Sequence, residues 1–284
     1  MHRIYVPLGP NIGNGIFTYM FGLLLHRETG FPLHIRGSGL APFGVRGKTT
    51  LEQAFYRAGW KLAGVRNWRI RDPAEVSGSG STRPRRSVIT FEVSSTMRIS
   101  YYRGIRREID QILEGADIAR GYGDEYLVAH VRLGDIAQGR HHNYSPLPIS
   151  WYRHLAETTG RRLVFMGQLD DGYYCRSLRR HFPDAIFATP GAPHEDFNII
   201  RASTHVAISV STFAYLATWM SDRVRSIYMP IWGIFDPATR KDISLLPDGD
   251  ARYSLYRFNF AKGDANADGN VLTDMGYEPF TRVA

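Results

Sequence analysis

From about residue 126 onward, short apolar runs alternate regularly with amphipathic stretches. The pattern predicts strand 126–132, a long loop to Pro148, helix 150–159, strand 162–166, helix 171–181, strand 185–188, helix 194–202, strand 205–209, helix 212–221 and strand 226–229. Repeated β-α units imply a parallel sheet with right-handed crossovers, so every strand delivers its carboxyl end to the same edge. The first half opens β-loop-α: strand 2–6, a Gly/Pro/Asn loop from Pro7 to Gly15, and a helix from about Ile16 to Glu28. A strand over Pro32–Arg36 follows. From there to Arg86 the pattern is weak, with a helix near Thr50–Gly59 and an exposed Ser/Gly loop, Ser77–Thr82. Tyr102, Ile105, Ile109 and Ile112 keep helical spacing, which predicts one amphipathic helix ending near Gly115. The segment Ala116–Asp124 is the expected domain boundary, dividing the chain into 1–120 and 121–284, the latter with a carboxyl-terminal extension.

At 284 residues, with 43% hydrophobic side chains, the chain can bury one large α/β core or two smaller ones. Its longest apolar stretch, Ile16–Leu25, is half of what a bilayer-spanning helix needs, about 20 residues. The amino terminus, Met1–Val6, runs straight into a strand without a cleavage site, so no signal peptide is expected. A single cysteine, Cys175, permits no intramolecular disulfide and no zinc site, fits a reducing cytoplasm, and reads as core filler. The net charge of +8 favours an anionic partner: nucleic acid, an acidic membrane surface with which the protein associates peripherally, or a phosphorylated small molecule. Zinc-finger spacing and an RNA-recognition aromatic pattern are both missing, which sets nucleic acid behind the other two.

The chemistry gathers at strand ends. The apolar run Tyr126–Val131 breaks off at His130-Val131-Arg132-Leu133-Gly134-Asp135, and some eighty residues later Ala207-Ile208-Ser209-Val210-Ser211-Thr212-Phe213 places hydroxyls between a strand and a helix. Open α/β sheets bind ligands at such ends. Arg132 offers a planar fork to a diphosphate, and Ser211 or Thr212, with backbone N–H groups of the helix beginning there, complete an anion seat. A salt bridge to Asp135 is the competing use of Arg132, and Ser211 and Thr212 cap the helix in either case. Asp170 and Asp171 precede a helix and either cap it or offer a carboxylate to the N1–H and exocyclic amine of guanine.

Four segments in order resemble one family. His130–Asp135 is similar to the His-x-Arg-Arg-Gly-Asp motif of the GDP-fucose-dependent fucosyltransferases, especially the bacterial α-1,2 type. Asn11-Ile12-Gly13-Asn14-Gly15-Ile16-Phe17-Thr18-Tyr19-Met20-Phe21-Gly22 resembles that family's amino-terminal loop and helix. Leu147-Pro148 with Trp151-Tyr152 resembles its Leu-Pro-x-x-Tyr-Tyr, and Glu195-Asp196 followed by Ser209–Phe213 and Trp219 resembles its Glu-Asp and Asn-Ser-Thr-Phe region. The resemblance implies a GT-B-like α/β architecture, two Rossmann-like domains facing across a cleft: 1–120 on the acceptor side and 121–284 binding nucleotide sugar. It also implies inverting transfer of fucose or a related sugar from a GDP-sugar donor to a glycan hydroxyl, without metal or cofactor. Arg132 would bind the β-phosphate, His130 and Asp170 or Asp171 would contact guanosine, and Ser209, Ser211, Thr212 and Phe213 would line the donor site. Asn14 would reach toward sugar or acceptor, and Asp135, with His141 and His142, stands in the loop expected to supply a general base. Leu133 occupies the place of the family's second arginine and the aromatic motif is incomplete, so a GDP-sugar-binding protein without transferase activity is the alternative. Gly47-Lys48-Thr49 lacks the first glycine of a P-loop. Asp264–Val271 matches the start of a calcium loop but has Met275 where a bidentate Glu belongs, and reads as an Asx-rich turn.

Overall fold

The computed structural model describes residues 2–48, 58, 60–61, 63–77, 86–113, 120–137, 145–260 and 280–283. The chain divides into two compact units, one comprising Met1–Asp117 with Asp242–Leu245, the other Ile118–Lys241 with Leu246–Ala284.

In the first unit β1 (His2–Pro7), α1 (Ile12–Thr29), β2 (Leu33–Arg36), β3 (Arg66–Ile70), β4 (Ser87–Phe91) and α2 (Arg106–Leu113) follow in chain order. The strands form a parallel sheet in the order β2-β1-β4-β3. Ile4 and Val6 of β1 are fully buried, as are Phe17, Met20, Phe21 and Leu25 of α1. Helix and strand meet closely at Gly22, where a Cβ would sit 2.6 Å from Val6 Cγ2. That contact has room only for glycine.

The structure departs from the expected elements at several places. The loop predicted to reach Gly15 ends at Asn11, and α1 begins four residues earlier than the expected Ile16. Ile12 and Ile16 stand one turn apart and are both buried, so packing overrides the low helix propensity of Gly13 and Gly15. Strand β3 emerges where the pattern is weak, and β4 just beyond it, where no element was expected; β3 is a polar edge strand, Arg-Asn-Trp-Arg-Ile, with only Ile70 buried. The helix expected through Tyr102 is a 3-10 segment, Ile99–Ile105, that passes into α2. The Tyr102 hydroxyl donates to the Thr96 carbonyl and draws this turn tight. Asp242–Leu245 joins this unit rather than the second: Ile99 N–H donates to the Ser244 carbonyl and Ser244 N–H to the Met97 carbonyl, both at 2.9 Å, with Ile243 and Leu245 buried.

The second unit runs β5 (Tyr126–Val131), α3 (Ile149–Thr159), β6 (Arg162–Gly167), α4 (Tyr173–His181), β7 (Ile186–Phe187), α5 (Pro193–Ala202), β8 (His205–Ala207), α6 (Thr212–Trp219), β9 (Ser226–Ile231), β10 (Tyr253–Phe258) and β11 (Phe280–Arg282). Its sheet has the order β11-β10-β9-β8-β5-β6-β7, parallel throughout except for β11 against β10. Counted within the unit, this is a third-second-first-fourth-fifth-sixth-seventh arrangement, and its direction reverses between β5 and β8. Ligands of doubly wound sheets bind at the carboxyl ends on either side of such a reversal. Strands β10 and β11 extend the sheet beyond the last predicted strand; Tyr253, Tyr256 and Phe258 are buried at spacings of three and two, which follow neither simple period.

The Asp264–Val271 loop, His141, His142 and nearly all of Thr50–Gly59 lie outside the described residues. Among the described residues no helix is long and apolar enough to cross a membrane.

Candidate functional site

The reversal point is built by β5 and β8, whose last paired residues are Ala129 and Ala207. Beyond them His130, only 5% exposed, places Nδ1 2.7 Å from Ser209 Oγ and ties the two strand ends together. The imidazole lies against Gly167 at the end of β6. Gly167 has φ +106°, and a Cβ there would come within 2.5 Å of the Val131 carbonyl oxygen and 3.1 Å of the His130 ring. Burial, with the neighbouring Arg132 charge adding to it, pushes His130 down to about 3. It is therefore neutral at physiological pH.

Arg132 is half-buried, and its Nη1 donates to the Val210 carbonyl at 3.0 Å, so the cation is moored to the second strand end. Leu133 turns its side chain inward, 2% exposed, while its N–H donates to Gln168 Oε1 at 2.8 Å. A helical turn, Gly134–Ala137, follows. On the other side Ser211 is the N-cap of α6: its Oγ accepts the Phe213 N–H at 3.2 Å and its carbonyl accepts the Tyr215 N–H at 3.1 Å. The Phe213 ring lies between His130, at 5.7 Å, and Phe197, at 5.4 Å. A moored guanidinium and a helix N-terminus on one sheet edge are groups able to receive an anion.

His130, Arg132, Ser209, Ser211, Thr212 and Phe213 thus come together at one place. Asp170 and Asp171 lie on the same sheet edge, after β6, and both are exposed. Asp170 Oδ1 accepts the Gly172 N–H at 2.9 Å in the turn before α4, and Asp171 stands 4.0 Å from Arg179. Asp135 falls in the Gly134–Ala137 turn, with its side chain outside the described residues. Asn14 belongs to the first turn of α1 in the other unit, where its carbonyl accepts the Thr18 hydroxyl at 2.8 Å. Gln168, which holds the Leu133 N–H, was not singled out by the sequence; its only signal is a polar residue just past a strand-end glycine.

Other motif residues have structural work. Trp151 and Tyr152 are buried in the core, and the Tyr174 hydroxyl donates to the Leu147 carbonyl. Glu195 Oε2 accepts the Ala192 N–H at 2.8 Å where α5 begins. Cys175 is buried and its thiol is pushed up to about 11, so it is unreactive. Among the described residues no group of three or more His, Cys, Asp or Glu side chains is placed to hold a metal.

No protein-family model matches the chain, and no curated protein sequence matches it. A solved structure does: the E. coli heptosyltransferase WaaC with ADP is similar at a TM-score of 0.51 and 12% identity, over 96% of this chain and 98% of that one. The likeness is one of fold. The chain has a GT-B-like α/β fold of two Rossmann-like domains.

Proposed function

We propose that the protein is a glycosyltransferase that takes a sugar from a nucleoside diphosphate and delivers it to a glycan hydroxyl. The observation that carries this reading is Arg132 moored at 3.0 Å to the Val210 carbonyl, beside the α6 N-terminus, at the reversal point of the second sheet. The fold shared with a heptosyltransferase solved with ADP agrees with it. In this reading Arg132 and the α6 N–H groups receive the diphosphate, and their charge matters most as the leaving group gains its own. Ser211, whose Oγ already accepts from Phe213, keeps its hydroxyl proton to donate. His130 holds Ser209 in register as a neutral imidazole, and Phe213 offers a ring face for the nucleoside. Asp135 is the general base in this scheme.

The finer proposal is a GDP-sugar donor, fucose or a relative, used with inversion and without metal. It rests on the His130–Asp135 resemblance and on Asp170 and Asp171 at the donor edge. Calorimetric titration with GDP, ADP, UDP and GDP-fucose tests it. GDP should bind best, and Arg132→Ala should weaken binding by about 10- to 150-fold, the value of one charge-assisted contact of about 1.5 to 3 kcal/mol. Preference for ADP removes the guanine reading and leaves nucleotide-sugar transfer standing; indifference of every diphosphate to Arg132→Ala removes both. The buried Leu133, standing in the second arginine's place, favours a second reading, donor binding without turnover. Donor hydrolysis and transfer on a glycan panel, with and without EDTA, separate the two.

A further inference from the structure

At the opposite edge of the second sheet, where β5, β8 and β9 begin, a groove of about 430 Å³ is lined by Arg120, Arg223 and Arg225, the strip Gly121–Gly123, Ala202, Thr204 and Asp222. Six residues of β5 separate this edge from His130 and Arg132, about 20 Å at the usual rise of a strand. The strip is held in place by two hydrogen bonds, Tyr122 N–H to Ser203 Oγ at 3.1 Å and Thr204 N–H to the Tyr122 carbonyl at 3.0 Å.

Cations at this edge have an ordinary use, because the carboxyl ends of α5 and α6 point their carbonyls here. That use is already filled. Arg252 Nη1 donates to the Ser221 carbonyl at 2.6 Å and reaches those of Thr218 and Val224, and the Ser221 hydroxyl donates to the Arg201 carbonyl at 2.5 Å. The carboxylates are engaged as well. Asp124 lies 3.3 Å from His205 Nε2 and 3.4 Å from Arg225 Nη1, and the charge of Asp222 acts on Arg252. Arg120 and Arg223 are exposed, and among the described residues their guanidinium groups make no ion pair or hydrogen bond; the Arg223 backbone N–H donates to Ser221 Oγ at 3.0 Å.

We infer that this groove is a second anion site, which takes a phosphorylated group through Arg120, Arg223 and Arg225. The open guanidinium forks of Arg120 and Arg223, with the Asp124-paired Arg225 beside them, suit a ligand with several phosphate oxygens, where a lone carboxylate would occupy only one. The group comes either from a free phosphorylated molecule or from an acidic lipid headgroup, and the site stands independently of the nucleotide reading.

Titration of the labelled full chain with inorganic pyrophosphate, followed by amide and guanidinium NMR, should shift the Gly121 and Gly123 amides and the Arg120 and Arg223 Nε–H signals. In Arg120→Gln/Arg223→Gln that response should weaken by about tenfold or more. Arg153→Gln/Arg180→Gln, which removes equal charge from two exposed helix positions, should leave it unchanged. Vesicles of phosphatidylglycerol, set against phosphatidylcholine, name the source: loss of vesicle sedimentation in the groove variant alone assigns a headgroup, and pyrophosphate binding without sedimentation assigns a free anion. Pyrophosphate shifts confined to Ser209–Phe213, or equal losses in the two double variants, overturn the inference.

Discussion

Protonating His130 puts a charge into the buried joint between the two strand ends of the site, beside Arg132, and the energy of doing so can be worked out. The imidazole titrates near 6.5 when the chain is unfolded and near 3 when folded. Below pH 6.5 the unfolded chain therefore binds more protons than the native one, so stability falls as pH drops toward 3 and levels off beneath it. Linkage over that interval gives about 2 kcal/mol lost at pH 5 and about 3 kcal/mol at pH 4. Urea unfolding of the wild type and of His130→Asn at pH 7, 5 and 4 isolates the term, since carboxylates such as Asp124 and Asp250 titrate equally in both proteins. The variant is the less stable at pH 7, and the gap should close by about 3 kcal/mol on going to pH 4. A gap that stays constant across this range would show that His130 is not held neutral by its burial.

Gly167→Ala forces a Cβ against the Val131 carbonyl oxygen at φ +106°, and should cost about 2 to 4 kcal/mol in the same unfolding assay. A neutral result would mean the β6 end relaxes freely. Ser211→Ala should cost about 1 kcal/mol through the lost N-cap, while Ser211→Asp keeps the cap yet weakens diphosphate binding by placing an anion at the seat; a Ser211→Asp protein that binds the diphosphate normally contradicts the placement. Leu133→Arg, which restores the family letter, buries a guanidinium at a position 2% exposed and should lower stability by about 3 kcal/mol or more, measured as a fall in urea midpoint. Tighter nucleotide binding without that loss would show the side chain facing the ligand instead.

The second unit was legible because its strands are nearly continuous apolar runs: Tyr126–Val131 and Arg162–Gly167 are buried on both faces, and β-α alternation then fixes which ends share an edge. The pairing of His130 with Ser209 was not legible. It depends on β8 lying beside β5, and strand order leaves no mark in a local pattern. The first unit was harder for the opposite reason, since β3 is an edge strand whose polar side chains alternate with little burial, and α1 starts through two glycines. Gln168 escaped notice because what it holds is a backbone N–H, which no spacing of side chains announces.

Asp242–Leu245 hydrogen-bonds within the first unit although it is flanked on both sides by chain of the second. The protein is therefore not two beads on a string. The polypeptide passes from one unit to the other three times, and a stop codon or a proteolytic nick at any single place releases neither of them whole. A fragment ending at Asp117 would lack the segment that takes up the Ile99 amide and the Met97 carbonyl, and would leave uncovered what Ile243 and Leu245 bury. Dissection of this chain into halves requires grafting those four residues back, and exchange of the Ser244 amide reports opening of a unit to which its neighbours in sequence do not belong.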